Sequence, residues 1–277
     1  MKHIAVMTST PDDLEHGVAA VDSLLLATQP PDEIILALPL SARYKIPSVL
    51  RHNSRVRLER TEYDYGSLTG LVCALELYGD DAAVTLVLVS STMRYPKNLL
   101  QEISAIKPEL EKQLRAKMPQ YTSSVWGLGG TVMVRNKEHN MELELQALMA
   151  GEDVPAADAR SIIGYVRDNA TIDILETAGV IVFDRNQIVK RDFMALVEPF
   201  RAGLAAQQYC GDVLLSNYFG GRGVFRTQIC TLSLNRFMLE VCGYSDRRRR
   251  RSKPAKEAVI ANTVKALQSA NAFRLWK

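Results

Sequence analysis

The feature that most constrains the fold is a short run of apolar, mostly β-branched residues at positions 84–89, Val-Thr-Leu-Val-Leu-Val. Polar pairs flank it on both sides: Asp80-Asp81 before the run and Ser90-Ser91 after it. Such a run predicts a strand that is buried on both faces, as in a largely parallel sheet. Similar, shorter runs at residues 4–7, 33–38 and 56–58 predict three earlier strands of the same sheet.

Helices are predicted between these strands. Residues 12–28 carry Leu14, Val18, Val21 and Leu25 at helical spacing, and Pro11 suits the first turn of a helix. Residues 68–77 and 96–118 also have helical patterns. Strands alternating with helices predict an α/β fold with a mostly parallel, Rossmann-like sheet flanked by helices. Ligands of such sheets bind beyond the carboxyl ends of the strands, so the segments after Met7 and Val89 are the first candidates for a site.

The second part of the chain is less regular. Strands are predicted at residues 131–134, 180–183 and 225–234, a short helix at 213–218 just after Asp212, and a last helix at 257–270. No linker rich in Pro, Gly or Ser divides the chain. We therefore predict a single domain over residues 1–277, with one lobe at 1–100, a second lobe at 101–245, and a basic segment with the C-terminal helix at 246–277.

Charge is concentrated near the C-terminus. The formal net charge is +3, but Arg247 to Arg251 with Lys253 and Lys256 supply seven cations, without which the balance would be −4. One basic segment on a slightly acidic body indicates a local anion site or a solvated tail rather than a nucleic-acid-binding domain. The apolar run at residues 4–7 is too short for the core of a signal peptide, which favours a cytoplasmic protein.

Several common sites are absent from the sequence. The four cysteines form no C-x-x-C pair and the four histidines have no metal-ligand spacing, so no zinc site is predicted. Gly127-x-Gly129-Gly130 precedes a predicted strand rather than a helix, which is typical of a turn and not of a dinucleotide-binding loop. Neither a P-loop nor the nucleophile elbow of α/β-hydrolases occurs.

Four segments, taken in order, resemble the GT-A type glycosyltransferases, in particular a small group related to family 2. They are the opening strand and helix from Val6 through Ile34, Asp64-Tyr65-Gly66-Ser67-Leu68-Thr69, Val89-Ser90-Ser91-Thr92-Met93-Arg94-Tyr95-Pro96, and Gly211-Asp212-Val213-Leu214-Leu215-Ser216. The resemblance implies a GT-A fold that binds a nucleotide-diphosphate sugar, such as a UDP- or GDP-sugar. It also implies transfer of that sugar to a hydroxyl of a glycan, lipid or protein acceptor. On this resemblance, residues 1–100 would form the nucleotide-binding lobe and residues 101–245 the acceptor lobe.

Two departures from the family pattern concern the diphosphate. The family's metal-binding acids are replaced by Ser90, Ser91 and Thr92, and hydroxyls are poor ligands for Mg²⁺ or Mn²⁺. The lysine expected after Thr69 is Gly70. The resemblance therefore gives no carboxylate set for a divalent metal, and no metal site is predicted.

Arg247 and Arg248 offer one replacement, because guanidinium groups bind phosphate in bidentate geometry. The alternative is that the run Arg247 to Arg251 forms a solvated loop, which could contact an anionic lipid surface or a nucleic acid.

The resemblance also assigns candidate roles to single residues. Asp212 is the candidate general base, which favours inversion at the sugar, although an Asp at a helix start is also a common cap. Asp64 and Gly66 are candidates for nucleotide contact, with a tight turn as the alternative. Thr8 and Ser9 follow the first strand, where they would contact the base or ribose, with ordinary polar loop residues as the alternative.

The donor diphosphate would lie against Ser90, Ser91 and Thr92. Trp126 is the candidate for stacking on an acceptor sugar, with burial in the core as the alternative. Glu176 and Gly179 precede a predicted strand at which the family approaches its acceptor.

Three functional hypotheses remain at this stage. The first is an active glycosyltransferase without the usual metal motif. The second is a catalytically inactive GT-A fold that acts as a binding or scaffolding protein, which the loss of the acids and the presence of Gly70 favour. The third, a nucleic-acid or membrane-surface binder, depends on the arginine run alone.

Overall fold

A computed structural model describes residues 1–40, 43–133, 163–165, 170–177, 180–206, 210–229 and 256–274. The strands are β1 Lys2–Thr8, β2 Glu33–Pro39, β3 Val56–Thr61, β4 Val84–Val89, β5 Ser124–Gly127, β6 Gly130–Met133, β7 Ile163–Tyr165, β8 Ala170–Thr171, β9 Ile174–Leu175, β10 Val180–Asp184 and β11 Phe225–Gln228. The helices are α1 Leu14–Leu25, α2 Ser48–Arg51, α3 Thr69–Leu77, α4 Leu99–Lys117, α5 Lys190–Val197, α6 Arg201–Ala206, α7 Cys210–Gly221 and α8 Lys256–Ser269.

The main sheet has eight strands in the order β3-β2-β1-β4-β10-β5-β11-β8. Strands β3, β2, β1 and β4 run parallel to one another, and β5 is parallel to β11. Strand β10 is antiparallel to both β4 and β5, and β8 is antiparallel to β11. The carboxyl ends of β1, β2, β3, β4, β5 and β11 therefore lie at one edge of the sheet. The predicted α/β architecture with a mostly parallel sheet is confirmed. A second, three-stranded sheet joins β7, β6 and β9.

Helices cover both faces of the main sheet, because its central strands are apolar on both sides. Ile4 and Val6 of β1 contribute to a core shared with α3, α7 and α8. Ala5 and Met7 point to the opposite core, which α1 and α4 complete. This alternation follows from the two-residue period of a strand.

Element boundaries differ from the prediction in two informative places. Helix α7 begins at Cys210, so Asp212 is its third residue and not the cap before it. Strand β3 extends to Thr61, three residues beyond the predicted end. The prediction was too short because this edge strand exposes charged side chains, which obscure its apolar pattern. The predicted Val134 and residues 230–234 lie outside the described residues. No helix in the described part of the chain is both long and apolar enough to cross a membrane.

Candidate functional site

The carboxyl end of β1 forms the centre of the candidate site. Ser9 directly follows this strand and is buried, and its backbone N–H donates to the carbonyl of Ala37 at the end of β2. The Thr8 hydroxyl accepts a hydrogen bond from the backbone N–H of Gly70, 2.9 Å away, at the start of α3. These two predicted residues therefore connect β1 to both neighbouring segments of the site.

Gly70 allows α3 to approach β1 closely. A Cβ atom placed on Gly70 would lie 2.8 Å from the carbonyl oxygen of Met7 and 3.0 Å from Cγ1 of Val6. Contacts this short to a strand backbone cannot be relieved by a side-chain rotation. Any side chain at this position would therefore displace the end of β1, and the lysine that the resemblance places after Thr69 does not fit this packing.

Asp64 stabilises the turn that leads into α3. Its Oδ1 accepts from the backbone N–H of Gly66 at 2.8 Å and from the Thr69 hydroxyl at 3.4 Å. Gly66 has φ of +57°, a left-handed conformation that glycine adopts without strain. The turn role considered for Asp64 and Gly66 is therefore present in the structure, while nucleotide contact remains a prediction.

Tyr44 and Arg60 lie beside these residues and were not identified from the sequence. The Tyr44 hydroxyl donates to the carbonyl of Ser9 at 3.0 Å, and the Arg60 guanidinium lies 5.0 Å from the centre of the Tyr44 ring. Burial, reinforced by the charge of Asp64, raises the pKa of Tyr44 to about 12. The hydroxyl is therefore a neutral donor at physiological pH. Neither residue belongs to a recognisable motif, so only their spatial proximity could reveal them.

The hydroxyl residues after β4 form a local hydrogen-bonded turn. Ser90 Oγ lies 2.8 Å from the Thr92 hydroxyl and accepts from the Thr92 backbone N–H. Ser91 is buried, and both it and Ser9 lie within van der Waals distance of a Cβ placed on Gly17. Ser9 and Ser91 thus both lie against α1 at Gly17, and their contact with a donor remains a prediction.

These hydroxyls are a poor set of ligands for a divalent metal. Mg²⁺ and Mn²⁺ favour carboxylate oxygens, and the hydroxyls of Ser90 and Thr92 are hydrogen-bonded to each other. Among the described residues, no group of three or more His, Cys, Asp or Glu side chains is placed to hold a metal ion.

Asp212 lies in the first turn of α7 and is only 2% exposed. Its Oδ1 accepts two hydrogen bonds from Thr177, from the side-chain hydroxyl at 2.6 Å and from the backbone N–H at 3.1 Å. A neighbouring glycine, Gly211, leaves no room for a Cβ because Ser67 and Leu68 pack against it. The start of α7 is therefore locked to the Asp64 turn on one side and to the segment before β10 on the other.

The residues predicted to contact an acceptor differ in how exposed they are. Trp126 is completely buried among the core residues on the α1 and α4 side of the sheet. A ring with 0% exposure offers no face to a sugar, so the stacking prediction is wrong for this structure and the core interpretation holds. Glu176 is half-buried just before β10, and its N–H donates to the carbonyl of Gly129. Gly179, Arg247 and Arg248 lie outside the described residues.

A second tyrosine, Tyr65, connects the Asp64 turn to the segment that joins α5 and α6. Tyr65 is buried, donates its hydroxyl to the carboxylate of Glu198, and lies under the Arg201 guanidinium, 5.4 Å from its ring centre. Burial first, and then the Glu198 carboxylate, raise the pKa of Tyr65 to about 12.

This raised pKa predicts a loss of stability at high pH. The folded state holds the Tyr65 proton more tightly than the unfolded state, where the pKa is about 10. The contribution is therefore complete below pH 10 and is lost as the pH rises from about 10 to 12. Thermal unfolding should therefore show that Tm decreases less between pH 8 and pH 11 for Tyr65→Phe than for the wild type. Equal decreases in the two proteins would contradict this assignment.

Comparison with known proteins yields similar solved structures but no matching family. No family model and no curated protein matches the chain. S. aureus TarS 1–349 aligns over 97% of this chain and 72% of its own, with 10% identity and a TM-score of 0.45. The mannosyltransferase PcManGT of Pyrobaculum calidifontis, solved in complex with GDP-Man and Mn²⁺, aligns over 98% of this chain and 70% of its own, with 13% identity and a TM-score of 0.42. Likeness at this level does not define a function.

Proposed function

We propose that this protein is a glycosyltransferase that moves a sugar from a nucleotide-diphosphate sugar to a hydroxyl acceptor without the usual carboxylate metal site. One observation carries the proposal. The end of β1, the Asp64 turn and the start of α7, which are distant in sequence, are packed together at the carboxyl edge through Gly70 and Gly211. This edge is where open α/β sheets bind their ligands.

The donor nucleotide is proposed to bind near Ser9, Tyr44, Arg60 and Asp64. The Tyr44 ring and the Arg60 guanidinium suit a planar base, since both stack on aromatic faces. The Asp64 carboxylate and the backbone around Ser9 supply hydrogen-bond acceptors and donors for a base or ribose. This region therefore combines an aromatic ring, a guanidinium and a carboxylate beside the end of β1.

Asp212 is the proposed general base. In the transfer, the acceptor hydroxyl loses its proton to the Asp212 carboxylate as its oxygen bonds to the anomeric carbon. The bond from that carbon to the diphosphate breaks, and the nucleoside diphosphate leaves with the electron pair. Attack opposite the leaving group inverts the anomeric centre. The two hydrogen bonds from Thr177 would hold the carboxylate in one orientation.

The leaving diphosphate gains negative charge that must be stabilised. With hydroxyls at Ser90, Ser91 and Thr92 instead of metal-binding acids, we propose that Arg247 and Arg248 supply this stabilisation. Two guanidinium groups can each bind phosphate oxygens in bidentate geometry.

Thermal stabilisation by nucleotides tests the proposal. UDP, GDP and their sugars are each added at about 100 times Kd, with Mn²⁺ or with EDTA. Binding should stabilise the protein by about 2.7 kcal/mol, which raises the unfolding temperature by about 5 °C for a chain of this size. We expect the shift to persist in EDTA and to be lost when Arg247 and Arg248 become Ala.

The matched control is Arg191→Ala with Lys190→Ala, two cations on α5 that form only exposed ion pairs. This variant should keep the full nucleotide shift. A shift that needs Mn²⁺ would contradict the metal-free proposal, and no shift with any nucleotide would contradict the glycosyltransferase proposal.

A second candidate function is a binding or scaffolding protein without catalysis. The 2% exposure of Asp212 favours it, because a base must reach the acceptor hydroxyl. On this alternative, the Asp212–Thr177 contact serves only to hold α7 in place. Nucleotide binding without any transfer or donor hydrolysis would support this candidate.

A further inference from the structure

One long stretch of the chain carries cations but no acid. Between Glu33 and Glu59 there is no Asp or Glu, while five Lys or Arg residues occur in the same interval. This imbalance is separate from the C-terminal arginine run. It falls on the connection from β2 to β3 and on the start of β3 itself.

The fold places this connection on an outer side of the molecule. Strand β3 is the edge strand of the main sheet, and Leu50 of α2 is buried in the core that α1 also contacts. Tyr44 and Ile46 pack against the same core. With these apolar residues turned inward, the cations between them are turned to solvent.

Four of the cations have no ionic partner among the described residues. Arg57 pairs with Glu33 and Glu59. The remaining four are exposed and form no ion pair with any described residue; they are Arg43, Lys45, Arg51 and Arg55. We call these four residues, together with Leu40 and Val49, the basic flank.

Two large aliphatic side chains are exposed on the basic flank. Leu40 and Val49 are each 48% exposed, and they are two of the four large hydrophobic side chains that are exposed in the described residues. Exposed aliphatic residues interspersed with unpaired cations are typical of surfaces that lie on membranes. The aliphatic groups enter the acyl boundary while the cations contact anionic head groups.

We propose that the basic flank binds the surface of an anionic lipid bilayer. Charge complementarity is the first reason, since each basic residue near such a surface contributes attraction. The second reason separates lipid from nucleic acid. Single-stranded nucleic acids bind by stacking on exposed aromatic rings, whereas Tyr44 is half-buried beneath Arg60 and the exposed apolar residues here are aliphatic.

Binding in this manner would set the candidate site beside the bilayer. Leu40 follows the end of β2 at the carboxyl edge, and Tyr44 bonds to Ser9 within the candidate donor site. The proposal does not depend on glycosyl transfer, because vesicle binding can be measured without any nucleotide.

Vesicle sedimentation tests the proposal with the full-length protein. The probes are phosphatidylcholine vesicles with and without 30% phosphatidylglycerol. Each basic residue at a charged surface contributes about fivefold to partitioning, so removal of three should weaken binding about a hundredfold. The test variant combines Arg43→Ser, Lys45→Ser and Arg51→Ser.

The matched control removes the same charge elsewhere through Lys97→Ser, Lys112→Ser and Lys117→Ser, three exposed cations that also form no ion pair with described residues. Far-UV circular dichroism verifies that both variants are folded.

The expected result is binding that requires phosphatidylglycerol, survives in the control and is lost in the flank variant. A separate double variant, Leu40→Ser with Val49→Ser, should reduce vesicle binding. The reduction should be larger at high salt, where the charge attraction is screened. The proposal is overturned by an absence of binding or by equal losses in both triple variants. It is also overturned if binding is lost only when Arg247 to Arg251 become Ser, or if single-stranded DNA binds the flank more tightly than the vesicles do.

Discussion

Replacing Gly70 with Ala is expected to destabilise the protein by about 2–3 kcal/mol, which corresponds to a decrease of roughly 3–5 °C in Tm. The added Cβ would lie 2.8 Å from the Met7 carbonyl oxygen, a backbone atom that cannot move without shifting the end of β1. Gly70→Lys, which restores the family's residue, should cost at least as much. Thermal and urea unfolding of the purified variants measure the effect.

Gly203 provides a matched control for this prediction. It lies in helix α6, as Gly70 lies in α3, but a Cβ placed on it meets nothing within 4 Å. Gly203→Ala should therefore stabilise the protein by up to about 1 kcal/mol through helix propensity. If Gly70→Ala behaves like Gly203→Ala, the close approach of α3 to β1 is not a constraint and the steric explanation for the missing lysine fails.

Substitution of Asp212 is expected to have the second large effect, on both stability and sugar transfer. Two substitutions separate its structural role from its proposed chemical role. Asp212→Ala leaves the buried N–H and hydroxyl of Thr177 without an acceptor, which should cost about 2–3 kcal/mol. Asp212→Asn keeps an acceptor oxygen for Thr177 and should change the stability by no more than about 1 kcal/mol. The amide cannot accept a proton as a base does. Sugar transfer should therefore fall by a factor of about 10²–10⁴ in Asp212→Asn.

The measurement pairs urea unfolding with transfer or donor hydrolysis, using whichever nucleotide sugar stabilises the wild type. Asp192→Asn, on the exposed surface of α5, removes a carboxylate of the same kind and should change neither quantity. Transfer at the wild-type rate by a folded Asp212→Asn protein would show that another group is the base. A loss of stability equal to that of Asp212→Ala would show that the amide does not replace the carboxylate at Thr177.

The sequence predicted the first half of the fold well because three of its four strands are dense apolar runs. Strands β1, β2 and β4 are buried on both faces, so their side chains alone indicate a parallel sheet. Edge strand β3 was cut short, since Arg57 and Glu59 pair on its exposed surface and interrupt the pattern. Helices α5 and α6 were not predicted, because they are short and join through a turn that contains Pro199.

The candidate site was only partly accessible from the sequence. The motif around Ser9, Asp64 and Asp212 could be read, because those residues follow strands or turns in a known order. Thr177 could not, since it lies 35 residues from the carboxylate it contacts. Tyr44 and Arg60 were likewise hidden, because their contact depends on how the β2–β3 connection folds over the core.

By itself, therefore, the sequence determined the layered α/β architecture, because local hydrophobic periodicity specifies strands and helices. From that architecture it predicted the sheet edge at which we propose that a ligand binds. Only the tertiary structure decided the role of residues for which the sequence allowed two interpretations. It buried Trp126 in the core, and it gave Gly70 and Gly211 the role of spacers between packed segments. Close approach and burial are properties of residues brought together by folding, so no pattern along the chain encodes them directly.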